Sequence, residues 1–256
     1  MSTTPRLRLF AGPNGSGKST IKDVIPNEWL GVYINPDEIE KGLRRDTLIN
    51  FSDFEVNTTA DELFAFLKNS TLLAKFDLLS TVNKLSFSDN QLHFHDVAVN
   101  SYFASVLSDF IRHQLLAAGI SFTFETVMSS RDKVDFLQKA QAAGFRTYLY
   151  FIATADPDIN IARVQHRVET GGHPVPETKI RERYTRSLAL LPDAVTYANR
   201  AYIFDNSTHE RTLVAEVTDG NEIKLTGDEM PVWFKTALWD NFIESSEEDA
   251  PLYPAE

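Results

Sequence analysis

The stretch AGPNGSGKST, residues 11–20, constrains the fold of this chain more than any other part of the sequence. Gly12 is followed by four residues and then by Gly17-Lys18-Ser19, which is the spacing G-x-x-x-x-G-K-[ST] of a phosphate-binding loop. The apolar run RLRLFAG precedes the loop and STIKDVI follows it, so strand, glycine-rich loop and helix occur in the required order. The sequence therefore predicts a P-loop, a structure that binds a nucleoside triphosphate.

The chemistry of this loop depends on the types of residue it contains. Glycines let backbone N–H groups converge on phosphate oxygens, and the helix N-terminus behind them favours negative charge. Lys18 is expected to reach the β- and γ-phosphates, and the Ser19 hydroxyl is expected to hold Mg²⁺. The predicted nucleotide-binding residues are Gly12, Pro13, Asn14, Gly15, Ser16, Gly17, Lys18, Ser19 and Thr20.

The remaining sequence alternates between strand-like and helical runs. Strand-like runs lie at 31–35, 119–127, 145–154 and 200–207, and Asp219-Gly220 marks a hairpin after them. Helical stretches separate most of these runs, which predicts a parallel sheet with helices on both faces. The predicted fold class is α/β: a three-layer P-loop NTPase fold with a mainly parallel five-stranded sheet, a helical insertion and a C-terminal hairpin.

Residues 46–96 interrupt this alternation, because one crossover helix would be enough between the second and third strands. The segment contains phenylalanines at positions 51, 54, 64, 66, 76, 87 and 94, and Thr59 with Glu62 fits a capping box. We interpret it as a helical subdomain whose phenylalanines form its own core. The alternative is that part of it covers a substrate pocket. We expect one domain over residues 1–256, with a flexible acidic tail at 244–256.

Composition argues against several classes of protein. The net charge of −11 argues against a general nucleic-acid-binding protein, which needs a basic surface. The chain has no cysteine, which excludes disulfides and thiolate zinc sites. No apolar run reaches the length of a membrane helix, and the first residues do not resemble a secretory signal. We therefore expect no nucleic-acid or membrane partner, and a cytoplasmic protein.

Two acidic residues follow predicted strands and are candidates for a site. Ligands of open α/β sheets bind beyond the carboxyl ends of the strands, where Asp37 and Glu125 are expected. Asp37 could accept a proton or hold Mg²⁺ through water, or it could simply be the N-cap of the following helix. Glu125, followed by Thr126, either serves the site or forms a structural salt bridge, since a buried free carboxylate is costly.

The stretch RVQHRVETGGHPVPETKIRERYTR, residues 163–186, is a basic island in an acidic protein. Its basic residues are Arg163, Arg167, Lys179, Arg181, Arg183 and Arg186, placed around a Gly-Gly-His-Pro hinge that contains His173. Exposed basic residues are ordinarily just solvated. Here the hinge favours a mobile lid at 168–178, and the arginines around it are expected to neutralise charge on a transferred phosphoryl group.

Three other patterns do not fit their best-known functions. HFHD pairs His93 with His95, but no further metal-ligand cluster lies nearby in the sequence. NKLS resembles the guanine-reading N-K-x-D motif, but Ser86 stands in place of the aspartate, which counts against a GTPase. YIFDNS offers Asp205 as a Walker B aspartate, but Asn206 follows where a mechanical or transport ATPase needs an acid.

Five pieces of the sequence together resemble one family, the zeta-toxin-like P-loop kinases. The pieces, in the order expected for the family, are AGPNGSGKST, YINPDEI, FTFETVMSS, RVETGGHPVPETKIRERYTRSL and YIFDNS. The resemblance implies an ATP-dependent phosphotransferase that acts on a small molecule. In toxin members the acceptor is a hydroxyl of a UDP-activated amino sugar used for cell-wall synthesis.

The resemblance also implies roles for particular residues. Lys18 would bind the phosphates and Asp37 would be the catalytic base, while Glu125 and Thr126 would lie near the acceptor. The phosphate clamp would come from the lid residues, which are Arg163, Arg167, His173, Arg181 and Arg183, with His173 standing where the family has an arginine. An antitoxin-like protein partner encoded elsewhere is implied as well. The alternatives are an ATPase acting through a protein partner and a non-catalytic nucleotide-binding switch.

Overall fold

A computed structural model describes residues 4–170, 172 and 174–242 of the chain. The chain divides into two compact units, Met1–Ile25 with Thr126–Glu256 and Pro26–Glu125, and the segment 46–96 lies within the second. The predicted acidic tail at 244–256 and the lid residue His173 lie outside the described residues.

Within the described residues there are ten β-strands and eleven α-helices. The strands are β1 (Arg6–Ala11), β2 (Val32–Ile34), β3 (Leu48–Asn50), β4 (Ser86–Ser88), β5 (Gln91–His93), β6 (Phe122–Thr126), β7 (Arg146–Ala153), β8 (Arg200–Asp205), β9 (Thr212–Thr218) and β10 (Glu222–Leu225). The helices are α1 (Asn27–Leu30), α2 (Pro36–Asp46), α3 (Ala60–Lys68), α4 (Thr71–Lys75), α5 (Leu79–Val82), α6 (Ser101–Ala118), α7 (Asp132–Ala142), α8 (Pro157–Glu169), α9 (Glu177–Ala189), α10 (Leu191–Thr196) and α11 (Val232–Phe234). Two 3₁₀ helices, Lys18–Val24 and Phe51–Phe54, and a π-helical turn, Lys235–Trp239, complete the set. None of the helices in this described part is long and apolar enough to cross a lipid bilayer.

The sheet of the first unit is built on β1, β7 and β8, which pair in parallel. Leu9 of β1 lies beside Leu149 of β7, and both side chains are completely buried. Full burial of a leucine side chain contributes about 1.5–3 kcal/mol to folding, so these apolar strands are the first unit's core. Strands β9 and β10 continue the sheet in antiparallel pairing, which confirms the predicted hairpin around Asp219-Gly220.

The second unit contains the other two parallel strands, β2 and β6. Ile34 of β2 lies beside Phe124 of β6, and both are buried. The two units together therefore contain five strands in parallel pairs, which is the number that the sequence predicted. Helix α6 begins at the N-cap Asn100 and ends at Gly119, whose φ of 66° is the left-handed conformation that terminates helices.

The segment 46–96 contains the expected helices α3, α4 and α5 and, in addition, a small antiparallel sheet in the order β3-β5-β4. The predicted capping box at Thr59 and Glu62 is present. Sequence analysis did not predict the sheet, because strands of three residues are too short to show an alternating pattern.

The phenylalanines of this segment share their core with helix α6. The rings of Phe51 and Phe66 pack edge-on against Phe110 of α6, and Phe94 packs edge-on against Phe103 of the same helix. Edge-to-face pairs of this kind add to the hydrophobic gain of burial. The segment is thus attached to α6 by a shared aromatic core, which corrects the expectation of a separate one.

Candidate active site

The phosphate-binding loop lies in the first unit, immediately after β1. Gly12 and Gly17 have φ values of 143° and 95°, conformations that residues with a side chain rarely adopt. A Cβ on Gly12 would overlap the carbonyl oxygen of Ile152, and one on Gly17 would overlap the side-chain amide of Asn206. These two positions therefore need glycine both for the turn of the backbone and for the close approach of neighbouring chain segments.

The Lys18 ammonium group is held over the loop by the loop itself. Its Nζ donates to the carbonyl oxygens of Gly12 and Pro13, each at 2.9 Å. Lys18 and Ser19 begin the 3₁₀ helix that follows, and the hydroxyl of Thr20 donates to the carbonyl of Gly17 at 2.8 Å. A positive charge and the first residues of a helix are thus placed at one end of β1, as a triphosphate site requires.

Side chains from three distant parts of the first unit hold the loop in place. The Asn160 amide donates to the Asn14 carbonyl at 2.5 Å, and the Arg183 guanidinium donates to the Asn14 side chain at 3.2 Å. The Asn206 amide donates to the carbonyl of Ser16 at 2.8 Å. Sequence analysis did not identify Asn160 or Asn206 as site residues. The available signal for Asn206 was its position directly after a strand, at the edge where ligands bind.

A buried polar network supports the Asn160 contact. The Thr154 hydroxyl donates to the Asn160 side chain, and the Tyr184 hydroxyl donates to the Thr154 carbonyl at 2.7 Å. Burial, together with the nearby charges of Asp156 and Asp205, raises the pKa of Tyr184 from 10.0 to about 12. The phenol consequently remains a hydrogen-bond donor throughout the neutral range.

The raised pKa of Tyr184 predicts that its contribution to stability decreases at alkaline pH. Unfolded tyrosine ionises near pH 10, so the folded protein loses this contribution as pH rises from about 10 to about 12. We expect wild type to be more stable than Tyr184→Phe at pH 8, and the difference to shrink by about pH 11. Urea unfolding of both proteins at the two pH values measures this difference, and an unchanged difference would contradict the assignment.

Two further arginines adjoin the loop: Arg163 from α8 and Arg211 from the segment after β8. The Arg163 guanidinium donates to the carbonyls of Asn206 at 2.7 Å and Thr208 at 3.2 Å. The Arg211 guanidinium donates to the Thr20 hydroxyl at 2.8 Å. A basic environment therefore surrounds the loop of an acidic protein, and Arg211 is a member of it that sequence analysis missed.

The predicted lid corresponds to the connection between α8, which ends at Glu169, and α9, which begins at Glu177. Arg163, Arg181 and Arg183 lie on these two helices, on either side of the connection. Arg163 and Arg183 hold the loop and its neighbouring segment, and Arg181 forms an exposed ion pair with Asp158.

Arg167 is the lid arginine that lies next to the connection. It is exposed in the last turn of α8, and its carbonyl accepts a hydrogen bond from the Gly172 N–H at 2.8 Å. Val175, which precedes α9, packs against a small buried cluster of Ile161, Val164 and Ile180.

Asp37 lies in the second unit, just beyond β2, on the first turn of α2. The N-cap of this helix is Asn35, whose side-chain oxygen accepts the Asp37 N–H at 2.9 Å. The alternative that Asp37 itself is the N-cap is therefore wrong, since Pro36 is the first helical residue and Asp37 the second. The Asp37 carboxylate is exposed and forms no hydrogen bond or ion pair with the residues that the structure describes. Such a carboxylate is able to accept a proton.

Glu125 is buried at the end of β6, where only 7% of the residue is exposed. The Tyr33 hydroxyl, from the neighbouring strand β2, donates to its Oε1 atom. Burial and the charge of Glu125 raise the pKa of Tyr33. Thr126 belongs to the first unit, and its hydroxyl oxygen accepts the Met128 N–H at 3.1 Å, which makes a tight turn after the strand.

The predicted Mg²⁺ would depend on Ser19 and on the phosphates of the nucleotide. Within the described ranges there is no group of three or more His, Asp or Glu side chains that could hold a metal ion. Proteins usually bind Mg²⁺ through one or two side chains together with substrate phosphates and water. A hydroxyl at the start of the helix after the loop fits that role.

The fold and the loop define a P-loop nucleotide-binding protein. Residues 89–212 match the family model described as Zeta toxin. The predicted resemblance to zeta-toxin-like P-loop kinases is therefore confirmed over these residues, which begin after the phosphate-binding loop and Asp37. The family match supports a phosphotransferase, and nucleotide binding is supported by the loop.

Solved structures show the same fold. The crystal structure of AvrRxo1-ORF1:-ORF2 with ATP aligns with a TM-score of 0.50 at 14% identity, over 99% of this chain and 67% of that one. The native AvrRxo1-ORF1:-ORF2 complex aligns with a TM-score of 0.51 at 15% identity, over 92% of this chain and 64% of that one. At these identities the likeness confirms the α/β fold alone.

One curated relative comes from Haemophilus influenzae and is described as an uncharacterized protein. It is 31% identical over 72 residues, which are 28% of this chain and 51% of that protein. This chain thus spans about half of the length of the curated relative that it matches. The relative adds no activity to the comparison.

Proposed function

We propose that the protein is an ATP-dependent kinase that transfers the γ-phosphate to a hydroxyl group of a small molecule. The observation that carries this proposal is the phosphate-binding loop, with the Lys18 ammonium held over it by two backbone carbonyls. The contacts from Asn160, Arg183 and Asn206 keep the loop in one conformation. A loop that is already in place needs little rearrangement as charge develops on the phosphates.

In this proposal the residues of the first unit bind and stabilise the triphosphate. Lys18 contacts the β- and γ-phosphates, and Ser19 holds Mg²⁺. Mg²⁺, when bound, neutralises negative charge on the β- and γ-phosphate oxygens. Arg167, in the last turn of α8, adds positive charge to the site. The connection from α8 to α9 acts as the lid. Phosphoryl transfer needs little covalent chemistry from the protein, so positioning and charge supply most of the rate enhancement.

The residues of the second unit serve the acceptor. Asp37 takes the proton of the attacking hydroxyl, a role open to an exposed carboxylate with no competing partner among the described residues. Glu125, with Thr126 of the first unit, binds the acceptor. The family resemblance makes a UDP-activated amino sugar the first acceptor to test. We propose that the reaction takes place in the cytoplasm.

We also propose an antitoxin-like protein partner that is encoded elsewhere. The support is the family resemblance, together with the AvrRxo1-ORF1 structures, which were solved in complex with ORF2. Such a partner would restrain the activity without being needed for it.

A screen with ATP labelled in the γ-phosphate tests the proposed function. The protein is incubated with Mg²⁺ and a panel of UDP-sugars, nucleosides and small metabolites, and labelled organic products are separated by chromatography. We expect at least one labelled phosphate ester that is absent from the Lys18→Ala reaction. ATP binding without any labelled ester would instead support a nucleotide-binding switch, and label in inorganic phosphate alone would support an ATPase.

Arg167→Ala should lower turnover much more than it lowers ATP affinity, because a clamping arginine acts mainly on charge in the transition state. The matched control is Arg186→Ala, which removes an exposed arginine of α9 that pairs with Glu182 at 3.8 Å. Calorimetry gives the ATP affinity and the labelled-ATP assay gives the turnover of each variant. Equal losses in both quantities would assign Arg167 to ground-state binding, and no loss would remove it from the site.

A further inference from the structure

One hydrogen-bonded chain in the second unit connects Glu125 with the start of the helix that carries Asp37. Strand register places Tyr33 of β2 beside Thr123 of β6. Side chains alternate along a strand, so Tyr33 and Asn35 point to the same side of this strand pair as Thr123 and Glu125. The geometry therefore brings a hydroxyl and an amide next to the buried carboxylate.

The chain has three links. The Asp37 N–H donates to the Oδ1 atom of Asn35 at 2.9 Å. The Asn35 side chain also hydrogen bonds to Tyr33, and because this bond lowers the pKa of the phenol, the Asn35 NH₂ group donates and the phenol oxygen accepts. The Tyr33 hydroxyl in turn donates to Glu125. Asn35 and Glu125 are both buried, so these bonds are shielded from water.

Tyr33 remains a donor under all ordinary conditions. Burial and the negative charge of Glu125 both disfavour its ionised form and raise its pKa. The direction of the bond is thus fixed: the phenol donates and the carboxylate accepts. The bond from the Tyr33 hydroxyl restricts the buried Glu125 side chain to rotamers that can accept it.

We propose that Tyr33 is a positioning residue, whose hydroxyl fixes the Glu125 carboxylate and, through Asn35, joins it to the first turn of α2. This inference rests on the proposed function, in which Glu125 binds the acceptor and Asp37 takes its proton. Through these bonds the Tyr33 hydroxyl fixes the position of Glu125 relative to the helix start that carries Asp37. A phenylalanine at position 33 would keep the ring and lose both hydrogen bonds.

A purely structural role would look different in kinetics. If Tyr33 only satisfied a buried carboxylate, its removal would lower stability and leave the kinetic constants of the folded protein unchanged. A positioning residue must alter the acceptor KM or kcat while the ATP affinity stays constant, because the nucleotide-binding residues belong to the first unit.

The test compares Tyr33→Phe with wild type and with the matched control Tyr102→Phe. Tyr102 lies on α6 of the same unit, stacks on Phe76, and its hydroxyl makes no hydrogen bond within the described residues. UDP-N-acetylglucosamine is the acceptor probe, and ATP hydrolysis, with water as the acceptor, is the second readout.

For Tyr33→Phe we expect kcat/KM toward the sugar, and kcat of hydrolysis, to fall about tenfold, the scale of one hydrogen bond to a charged group. ATP affinity should remain within about twofold, and Tyr102→Phe should match wild type in every measurement.

Asn35→Ser is the second variant, and it keeps the proposal testable if Tyr33→Phe does not fold. Serine retains an N-cap oxygen for α2 but is too short to reach Tyr33. Asn35→Ser alone should lower kcat/KM toward the sugar with ATP affinity within about twofold of wild type. Where Tyr33→Phe folds, the two losses should not add in the double variant, since both remove the same chain of bonds. Additive losses would contradict a single chain.

The remaining outcomes separate this inference from the proposed function. Wild-type kinetics in a folded Tyr33→Phe protein would overturn the positioning role and leave the kinase proposal intact. A parallel loss of ATP affinity would overturn it too, as a sign of general disruption. If wild type binds ATP but forms no phosphate ester with any acceptor of the screen, the proposed function fails and the positioning role fails with it.

Discussion

Asp37→Asn is expected to reduce phosphoryl transfer about 100-fold or more while the fold and most of the ATP affinity are retained. Asparagine keeps the size of the side chain and cannot take up the proton of the acceptor hydroxyl. The helix start is unaffected, because Asn35 caps α2. The carboxylate is exposed, so its replacement leaves no buried polar group unsatisfied. Initial rates with labelled ATP measure the loss.

The control for this variant is Glu38→Gln, which neutralises the next acidic residue in the same exposed turn of α2. We expect it to keep transfer within about twofold of wild type, since an exposed surface charge has little local effect. Normal transfer by Asp37→Asn would move the role of the base to another acid, first of all Glu125. An equal loss in both variants would indicate a general effect of charge.

Lys18→Ala is expected to weaken ATP binding by about 10- to 100-fold. A charge-assisted hydrogen bond to phosphate contributes roughly 1.5–3 kcal/mol, and the variant removes it. The variant also removes the two bonds from Nζ to the carbonyls of Gly12 and Pro13, so the loop loses part of its own support. Isothermal titration calorimetry with ATP and Mg²⁺ measures the affinity, and circular dichroism checks the fold.

Lys22→Ala serves as the control for Lys18→Ala, because it removes a lysine from the same 3₁₀ helix, one turn further from the loop. We expect its ATP affinity to stay within about threefold of wild type, an effect of long-range charge alone. An unchanged affinity in a folded Lys18→Ala protein would refute the assignment of the phosphate-binding loop.

The features that were predicted correctly from the sequence depend on residues within short continuous stretches. The five parallel strands have apolar runs with clear ends, and the loop has a defined spacing of glycines and lysine. The capping box at Thr59 and Glu62 is also a local pattern. Each of these features is determined by neighbours along the chain, and for that reason a sequence alone reveals it.

The features that sequence analysis missed depend on contacts between distant residues. Asn160 and Asn206 hold the loop from positions 146 and 190 residues away from their partners Asn14 and Ser16. Nothing in the residues around Asn160 marks it as a support for a loop, and Asn206 is marked only by its position directly after a strand. The sheet of β3, β4 and β5 was missed for a different reason, since its strands are too short for an alternating pattern.

The helix start at Asn35 shows how one residue can change an interpretation. The stretch NPDEIEKGL predicts a helix with acidic residues in its first turn, but it offers two candidate caps, Asn35 and Asp37. Proline is favoured as the first helical residue, which assigns the cap to the residue before it. Applying that preference to Pro36 would have identified Asn35 and left the Asp37 carboxylate available for chemistry.

³¹P NMR of the reaction mixture tests directly whether the γ-phosphate of ATP is transferred to an organic hydroxyl. Wild type and Asp37→Asn are each incubated with ATP, Mg²⁺ and the acceptor that reacts fastest in the screen. We expect a new phosphate monoester signal that grows as ADP forms in wild type and grows about 100-fold more slowly in Asp37→Asn. ADP that forms only with inorganic phosphate, at equal rates in both proteins, would contradict transfer to an organic hydroxyl.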